Sequence, residues 1–255
     1  MAFVKDYDTY FEKYLGRIFF RIIRKHKINN INTVIEFAPG FRYKIAYALK
    51  SLKFNGTLYI IDTNKNVLEF VKKRYQRILP GATIICINKG LVESLNDLPK
   101  RVDLFLTNHS IDDMIVAEYV GKEKLSKAFD NDDDSKQFLI DCWNELSRND
   151  KDLSNIKNIV IKEWEKFLNS IDINFIVLSQ YKSGYYVNQK NHVEDLTRNI
   201  FLHLKENIIT DNLILDKAMD FPFADFDVCL QENGYSLKDN IQNSKNWIAG
   251  VFKRT

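Results

Sequence analysis

The chain has 255 residues, 45% hydrophobic and 28% charged, with nine glycines, four prolines and a net charge of +3. A chain of this length buries roughly three-quarters of its unfolded surface, enough for one large domain that needs no disulfide or metal to hold it. The composition excludes collagen, a disulfide scaffold and wholesale disorder, and 37 basic against 34 acidic residues is too even a balance for a dedicated polyanion binder.

Tyr10, Tyr14, Ile18, Ile22 and Ile23 recur at helical spacing and predict a helix over 7–27. Arg17, Arg21, Arg24 and Lys25 interleave with them. Such a basic face reads either as a phosphate-contacting helix or lid, or as the solvated side of a packing helix. The run 29–32 (NNIN) is a turn. A short β-rich run follows at 33–37 and ends at Ala38-Pro39-Gly40. Ile45, Ala48, Leu49 and Leu52 then mark a helix over 41–53, broken by Asn55-Gly56. The next strand, 57–61, ends at Asp62. Val67, Leu68, Val71, Tyr75 and Ile78 give a helix over 64–79, and Pro80-Gly81 turns the chain. Strands are expected at 82–87 and 102–107, the second closed by Asn108-His109.

The middle of the chain is less regular. The segment 130–134 (DNDDD) reads as an acidic loop, with helices at 135–148 and 154–169 and an apolar strand at 174–179. A helix at 192–207 and another at 225–233 follow. A weak strand at 236–241 and a last strand at 247–252 are expected to form an antiparallel edge hairpin. Apolar strands without polar alternation, separated by amphipathic helices, mean a parallel sheet covered on both faces. The expected fold class is α/β: a doubly wound, mostly parallel seven-stranded sheet with the C-terminal hairpin and helical insertions. The organisation follows as an N-terminal helical segment over 1–32 and a main domain over 33–255, with insertions at about 111–172 and 184–220.

Cys86, Cys142 and Cys229 are far apart and form no CxxC or CxxH pair. They indicate neither a disulfide framework nor a zinc site, and no metal is expected. The first residues show no apolar signal core, and no window reaches 18 apolar residues. The expectation is a cytoplasmic protein with no membrane span.

The segment that carries chemistry is strand, tight turn, helix, strand, acid: Glu36-Phe37-Ala38-Pro39-Gly40, then Ile60-Ile61-Asp62. Open parallel sheets bind ligands beyond the carboxyl ends of their strands. Amides at the following helix start favour electron-rich groups, and an acid closing the next strand can accept hydrogen bonds from a ribose diol. A dinucleotide fingerprint needs three glycines. This turn has only Gly40, and Glu36 before it would repel a pyrophosphate but suit a cationic amino acid or sulfonium.

Here the chain resembles the class I S-adenosylmethionine-dependent methyltransferases, which have Rossmann-like domains. Glu36-Phe37-Ala38-Pro39-Gly40-Phe41-Arg42 stands where their acid and small-residue turn stand, Asp62 where an acid ends the second strand, and Val102–Asn108 where their fourth motif lies. The ending, with Gly234-Tyr235 and Trp247–Lys253, is similar to their closing hairpin. Two departures stand out: Ala38 and Arg42 replace glycines, and Pro39 donates no amide. The resemblance implies S-adenosylmethionine as cofactor. It implies that Gly40 and the Ala38 backbone face the methionine part, with Glu36 at its amino group, directly or through water. Asp62 would hold the ribose hydroxyls and Thr63 lie next to the adenine. Asn88 would accept from the adenine amino group, Leu91 pack on the ring, and Asn108 sit beside the methyl.

Asn108-His109-Ser110-Ile111-Asp112-Asp113 leaves the fourth strand where the transferred methyl should point. His109 can act as a general base near neutral pH, with Asp112 or Asp113 to orient it or to bind a substrate amine. The same residues read otherwise as helix caps or as metal ligands. Tyr181, Tyr185 and Tyr186 could border the pocket as a lid, or simply pack irregularly. The expected partner is a small-molecule acceptor. RNA or protein acceptors, a degenerate non-catalytic binding module, and a nicotinamide-dependent oxidoreductase are the alternatives.

Overall fold

The computed structural model describes residues 9–130, 132–146, 148–181, 213–215, 219–220 and 247–254. The expected hairpin strand at 236–241, the helices at 192–207 and 225–233, the tyrosines at 185 and 186, and the Tyr10 and Tyr14 side chains lie outside the described residues. Among the described residues, no helix is long and apolar enough to cross a membrane.

Five parallel strands form the body of the sheet: β1 (Thr33–Phe37), β2 (Thr57–Ile61), β3 (Thr83–Ile87), β4 (Arg101–Asn108) and β5 (Asp172–Tyr181). Their order is β3-β2-β1-β4-β5. The last strands are β6 (Leu213–Leu215), β7 (Met219–Asp220) and β8 (Trp247–Arg254), of which β8 runs antiparallel to β5, β6 and β7. The expectation of seven strands is thus corrected: the described sheet has five parallel strands and an antiparallel edge, with two short strands that the sequence pattern did not show.

Alternation along the strands sorts the core into two layers. Val34, Leu58, Ile60, Leu104, Leu106 and Val177 pack under α1 (Thr9–Lys25), α2 (Lys44–Ser51) and α3 (Lys65–Ile78). Ile35, Phe37, Ile61, Phe105, Ile176 and Leu178 pack on the other face. That face is covered by α4 (Ser110–Val120), α5 (Lys122–Phe129), α6 (Asp132–Leu146) and α7 (Asp150–Ser170). There Trp164 stands edge-on to Phe37 and Phe105, with ring centroids 6.1 and 5.7 Å away. The acidic run read as a loop is in fact helical from Asp132, as acids in a first helical turn are favoured by the helix dipole. Helix α5 was not expected at all.

The N-terminal helix packs into the core layer it shares with α2 and α3. Leu15, Phe19, Ile22 and Ile23 are fully buried, while Arg17, Arg21, Arg24 and Lys25 are exposed. Gly16 lets α1 approach α2: a Cβ there would lie 2.7 Å from the Lys44 carbonyl and 2.7 Å from Tyr47 Cβ. At the other end of the sheet, Asp103 accepts from the amides of Asn32 (2.8 Å) and Thr33 (2.9 Å) and from Asn174 Nδ2 (3.2 Å). It therefore ties the amino ends of β1, β4 and β5, far from the carboxyl edge.

Two effects oppose each other at Gly16→Ala. Helix propensity alone favours alanine by about 1 kcal/mol, whereas overpacking costs about 1–3 kcal/mol. Backbone atoms are among the contacts, so packing should win. Urea unfolding is expected to show a less stable variant, and a more stable one would contradict the close approach of α1.

Candidate active site

Strand register sets the site. Phe37 pairs with Ile61 and with Thr107, and Ile61 pairs with Ile87. The residues that follow, Ala38, Asp62, Asn88 and Asn108, therefore emerge level at the carboxyl edge. The edge lies where strand order reverses between β1 and β4, the usual place for a ligand in an open α/β sheet. Backbone bonds carry the ladder one residue further, from Ala38 N to Ile61 O (2.8 Å) and from Asp62 N to Ile87 O (3.2 Å).

The turn after β1 takes a left-handed backbone at Ala38 (φ 51°) and Gly40 (φ 56°). Alanine there costs about 1 kcal/mol relative to a right-handed conformation. Among the described residues, a Cβ on Gly40 would meet nothing within 4 Å, so the turn is open on their side. Asp62 is half-buried beneath it. Its carboxylate accepts from Asn64 N (2.8 Å) and, at the long limit, from Gly40 N (3.4 Å). Burial raises its pKa to about 6, against the lowering effect of those amides. Thr63 and Asn88 are exposed, and Asn88 Nδ2 donates to the Asp62 carbonyl (3.0 Å). Asn64 caps α3 through the amides of Asn66 and Val67. Its Nδ2 reaches Asp130 Oδ1 (2.9 Å), so the end of α5 is tied to the same corner.

Two predicted residues sit differently from what the resemblance implied. Leu91 is fully buried in the core on the α4–α7 face. Packing on a ring would need an exposed face, which Leu91 lacks. Glu36 is 3% exposed and accepts from Tyr75 Oη. Burial raises its acid to about 7, with Tyr75 and Lys44 pulling the other way. Lys44, also buried, is lowered to about 8 chiefly by loss of solvent, with Glu12 as the favourable charge. Glu12 of α1 is fully buried, accepts from Tyr43 N (2.8 Å) and pairs with Arg42 Nε (3.0 Å). No pattern in the sequence marks Glu12, which falls among helical polar residues.

His109 leaves β4 in the left-handed region (φ 63°) and immediately precedes α4. Its amide donates to the Ser179 carbonyl (2.9 Å). Burial and the Lys44 and Arg42 cations hold its pKa well below the ordinary value, so the ring is neutral at neutral pH. Asp112 and Asp113 are half-buried in the first turn of α4 and are not its N-cap, which is His109. Burial, Asp112 and Asp62 together push Asp113 well above the carboxylate range. Asn108 Oδ1 accepts from Ser179 Oγ (2.7 Å), and Thr107 Oγ1 bonds the Phe37 carbonyl (2.9 Å) and Ser110 Oγ (2.7 Å). Among the described residues, no group of three or more His, Cys, Asp or Glu is placed to hold a metal ion.

No protein-family model matches this chain, and no curated protein matches it in sequence. Solved structures do. The methyltransferase domain of bacterial CtHen1 aligns over 95% of this chain and 98% of its own, with TM-score 0.52 and 11% identity. A putative rRNA-methylase from Clostridium thermocellum aligns over 94% of each chain, with TM-score 0.51 and 11% identity. Magnesium protoporphyrin IX methyltransferase (ChlM) from Synechocystis PCC 6803, solved with bound SAM, covers 100% of this chain and 85% of its own, with TM-score 0.50 and 10% identity. The fold is that of the class I methyltransferases. Within this methyltransferase fold, the Ala38–Gly40 turn and Asp62 occupy the carboxyl edge at the switch point.

The raised Glu36 acid has a consequence for stability. A carboxyl whose folded pKa lies above its unfolded value contributes fully below the unfolded pKa, and that contribution is lost as pH rises through the folded one. For Glu36 the window runs from about 4.5 to about 7. Glu36→Gln does not titrate, so its stability relative to wild type should rise across this window. Asp62 is common to both proteins and cancels in the difference. Chemical unfolding at several pH values measures it, and a flat difference would contradict the burial of the Glu36 charge.

Proposed function

We propose that this chain transfers the methyl group of S-adenosylmethionine to an oxygen or nitrogen of a small-molecule acceptor. The observation that carries this reading is the open Gly40 turn above the Asp62 carboxylate at the switch point. A carboxylate offers about four acceptor positions, and the amides of Gly40, Asn64 and Thr63 leave room for a hydroxyl. Asp62 would thus hold the ribose, Gly40 and the Ala38 backbone would line the methionine part, and Thr63 and Asn88 would flank the adenine. Glu36 would act from beneath the turn through Tyr75 and Lys44. The main domain would be residues 33–255, with α1 as its N-terminal cover.

When bound, the donor supplies an electrophilic methyl group on sulfur. The chain's own part is to position the acceptor and take its proton. His109 is unprotonated in this setting and would receive that proton at a ring nitrogen, against the burial and neighbouring cations that disfavour its charged form. Asp112 would orient the imidazole or the acceptor. Both residues are half-buried, so the reacting atom must enter to reach them, which suits a small molecule. Positioning supplies most of the acceleration in such a displacement. Neighbours solved with the donor, such as ChlM with bound SAM, support the cofactor assignment.

The residues that could block the turn are engaged elsewhere, which argues against a degenerate binding module. Phe37 packs on Phe105 and Trp164, Phe41 on Phe70, and Arg42 on Glu12. An RNA acceptor is favoured by one observation, the exposed arginines of α1 at positions 17, 21 and 24. Salt-dependent RNA binding lost on charge reversal there would support it.

Calorimetric titration with S-adenosylhomocysteine tests the donor site. About micromolar affinity is expected, falling at least about tenfold in Asp62→Ala as a charge-assisted contact is lost. Absence of binding to the wild-type chain would overturn the proposal.

A further inference from the structure

We infer that Glu12, on the N-terminal helix, is a positioning residue for the donor turn, acting through Tyr43 and Arg42. The inference rests on the methyl-donor reading of that turn.

Helix α2 begins without a local cap. Tyr43 stands at its N-cap position and makes no side-chain capping bond. The first amides of a helix must find partners outside it. Here the partner comes from another element: Glu12 Oε2 accepts from Tyr43 N at 2.8 Å, inside the protein. The acid also lies at the positive end of the α2 dipole. Its other oxygen lies 3.0 Å from Arg42 Nε, an ion pair. Glu12 thus serves as an N-cap supplied by α1. The bare Gly16, one turn further along α1, allows the approach, because a Cβ there would sit 2.7 Å from the Lys44 carbonyl.

The consequence falls on the turn between β1 and α2. One carboxylate, Asp62, reaches it at Gly40, and a second, Glu12, holds it at Arg42 and Tyr43. Arg42 is the residue that replaces a glycine of the family's turn. A long cation there would be free to swing across the opening and fill the space beside the turn. The Glu12 carboxylate draws it back against α1. The chain therefore keeps a glycine-poor turn usable by restraining it from outside.

The test uses the full chain, S-adenosylhomocysteine as probe, and three substitutions. Glu12→Ala is expected to bind about ten- to a hundredfold more weakly. It should also speed amide exchange in peptides covering 38–47 while the strands β1 to β5 keep wild-type protection. Glu12→Gln retains an oxygen that can accept from Tyr43 N, so it should restore much of the slow exchange. Arg42→Ala in the Glu12→Ala background should recover part of the affinity, because the released cation is gone. If Glu12→Ala does not fold, Glu12→Gln, which keeps the acceptor for Tyr43 N but loses the charge that holds Arg42, should bind several-fold more weakly than wild type with β1 to β5 still protected, and wild-type affinity there would overturn the restraint of Arg42. Wild-type affinity and wild-type exchange in Glu12→Ala would overturn the role of Glu12 alone. So would a uniform rise in exchange across the sheet, which marks a merely structural residue. No binding by wild type would instead overturn the donor reading itself.

Discussion

Charge buried under the β1–α2 turn is the constraint around which this fold is arranged. Glu12, Glu36 and Lys44 are each less than 5% exposed, and they come from α1, β1 and α2. Burying a lone ion costs several kcal/mol even after relaxation. Glu12 and Lys44 offset each other's charge there. The pairing with Arg42 and the hydrogen bond from Tyr75 complete the set. Three elements are therefore held in one arrangement by groups that cannot be left unmatched. This is a demand for specificity more than a source of stability, since ion pairs of this kind often break even against apolar packing.

The two faces of the sheet contribute different things to the same edge. The α1–α3 face brings charge beneath the turn. The α4–α7 face is dry and aromatic, with Phe37, Phe105, Trp164 and Phe167 packed together. At the edge itself, short polar links join the strands, Thr107 to Phe37 and Ser179 to Asn108, and Thr107 also bonds Ser110 at the start of α4. These fix the departure angle of β4, and His109 takes its left-handed conformation there. Backbone strain at a strand end is commonly found where a side chain must be presented.

Much of the fold was legible in the sequence because its signals are local. The parallel strands read as β-branched runs such as Thr-Val-Ile and Thr-Ile-Ile, and the helix read over 64–79 is found at Lys65–Ile78 with Asn64 as its cap. The turn at Ala38-Pro39-Gly40 and the acid at Asp62 could be found from spacing alone. Other features depend on distant partners. Glu12 lies 31 residues from Tyr43, and a carboxylate in a polar helix ordinarily reads as solvated. Leu91 follows a strand end in sequence, yet its side chain is turned into the core. Helix α5 carries only one fully buried residue, Leu125, too faint a pattern to see. Asp103 looked like part of a functional motif, but register puts it at the amino end of β4, where it binds backbone amides.

The edge-on packing of Trp164 against Phe37 has an optical consequence. Phe37 is the last residue before the turn, and the indole touches it inside an apolar layer. Trp164 Nε1 has no hydrogen-bond partner among the described residues, so its emission belongs to the blue end of the tryptophan range. Any rearrangement of the turn that shifts Phe37 alters the surroundings of that indole. The protein thus carries a native chromophore at the base of the proposed donor turn, and changes in that turn can be followed by light without adding a label.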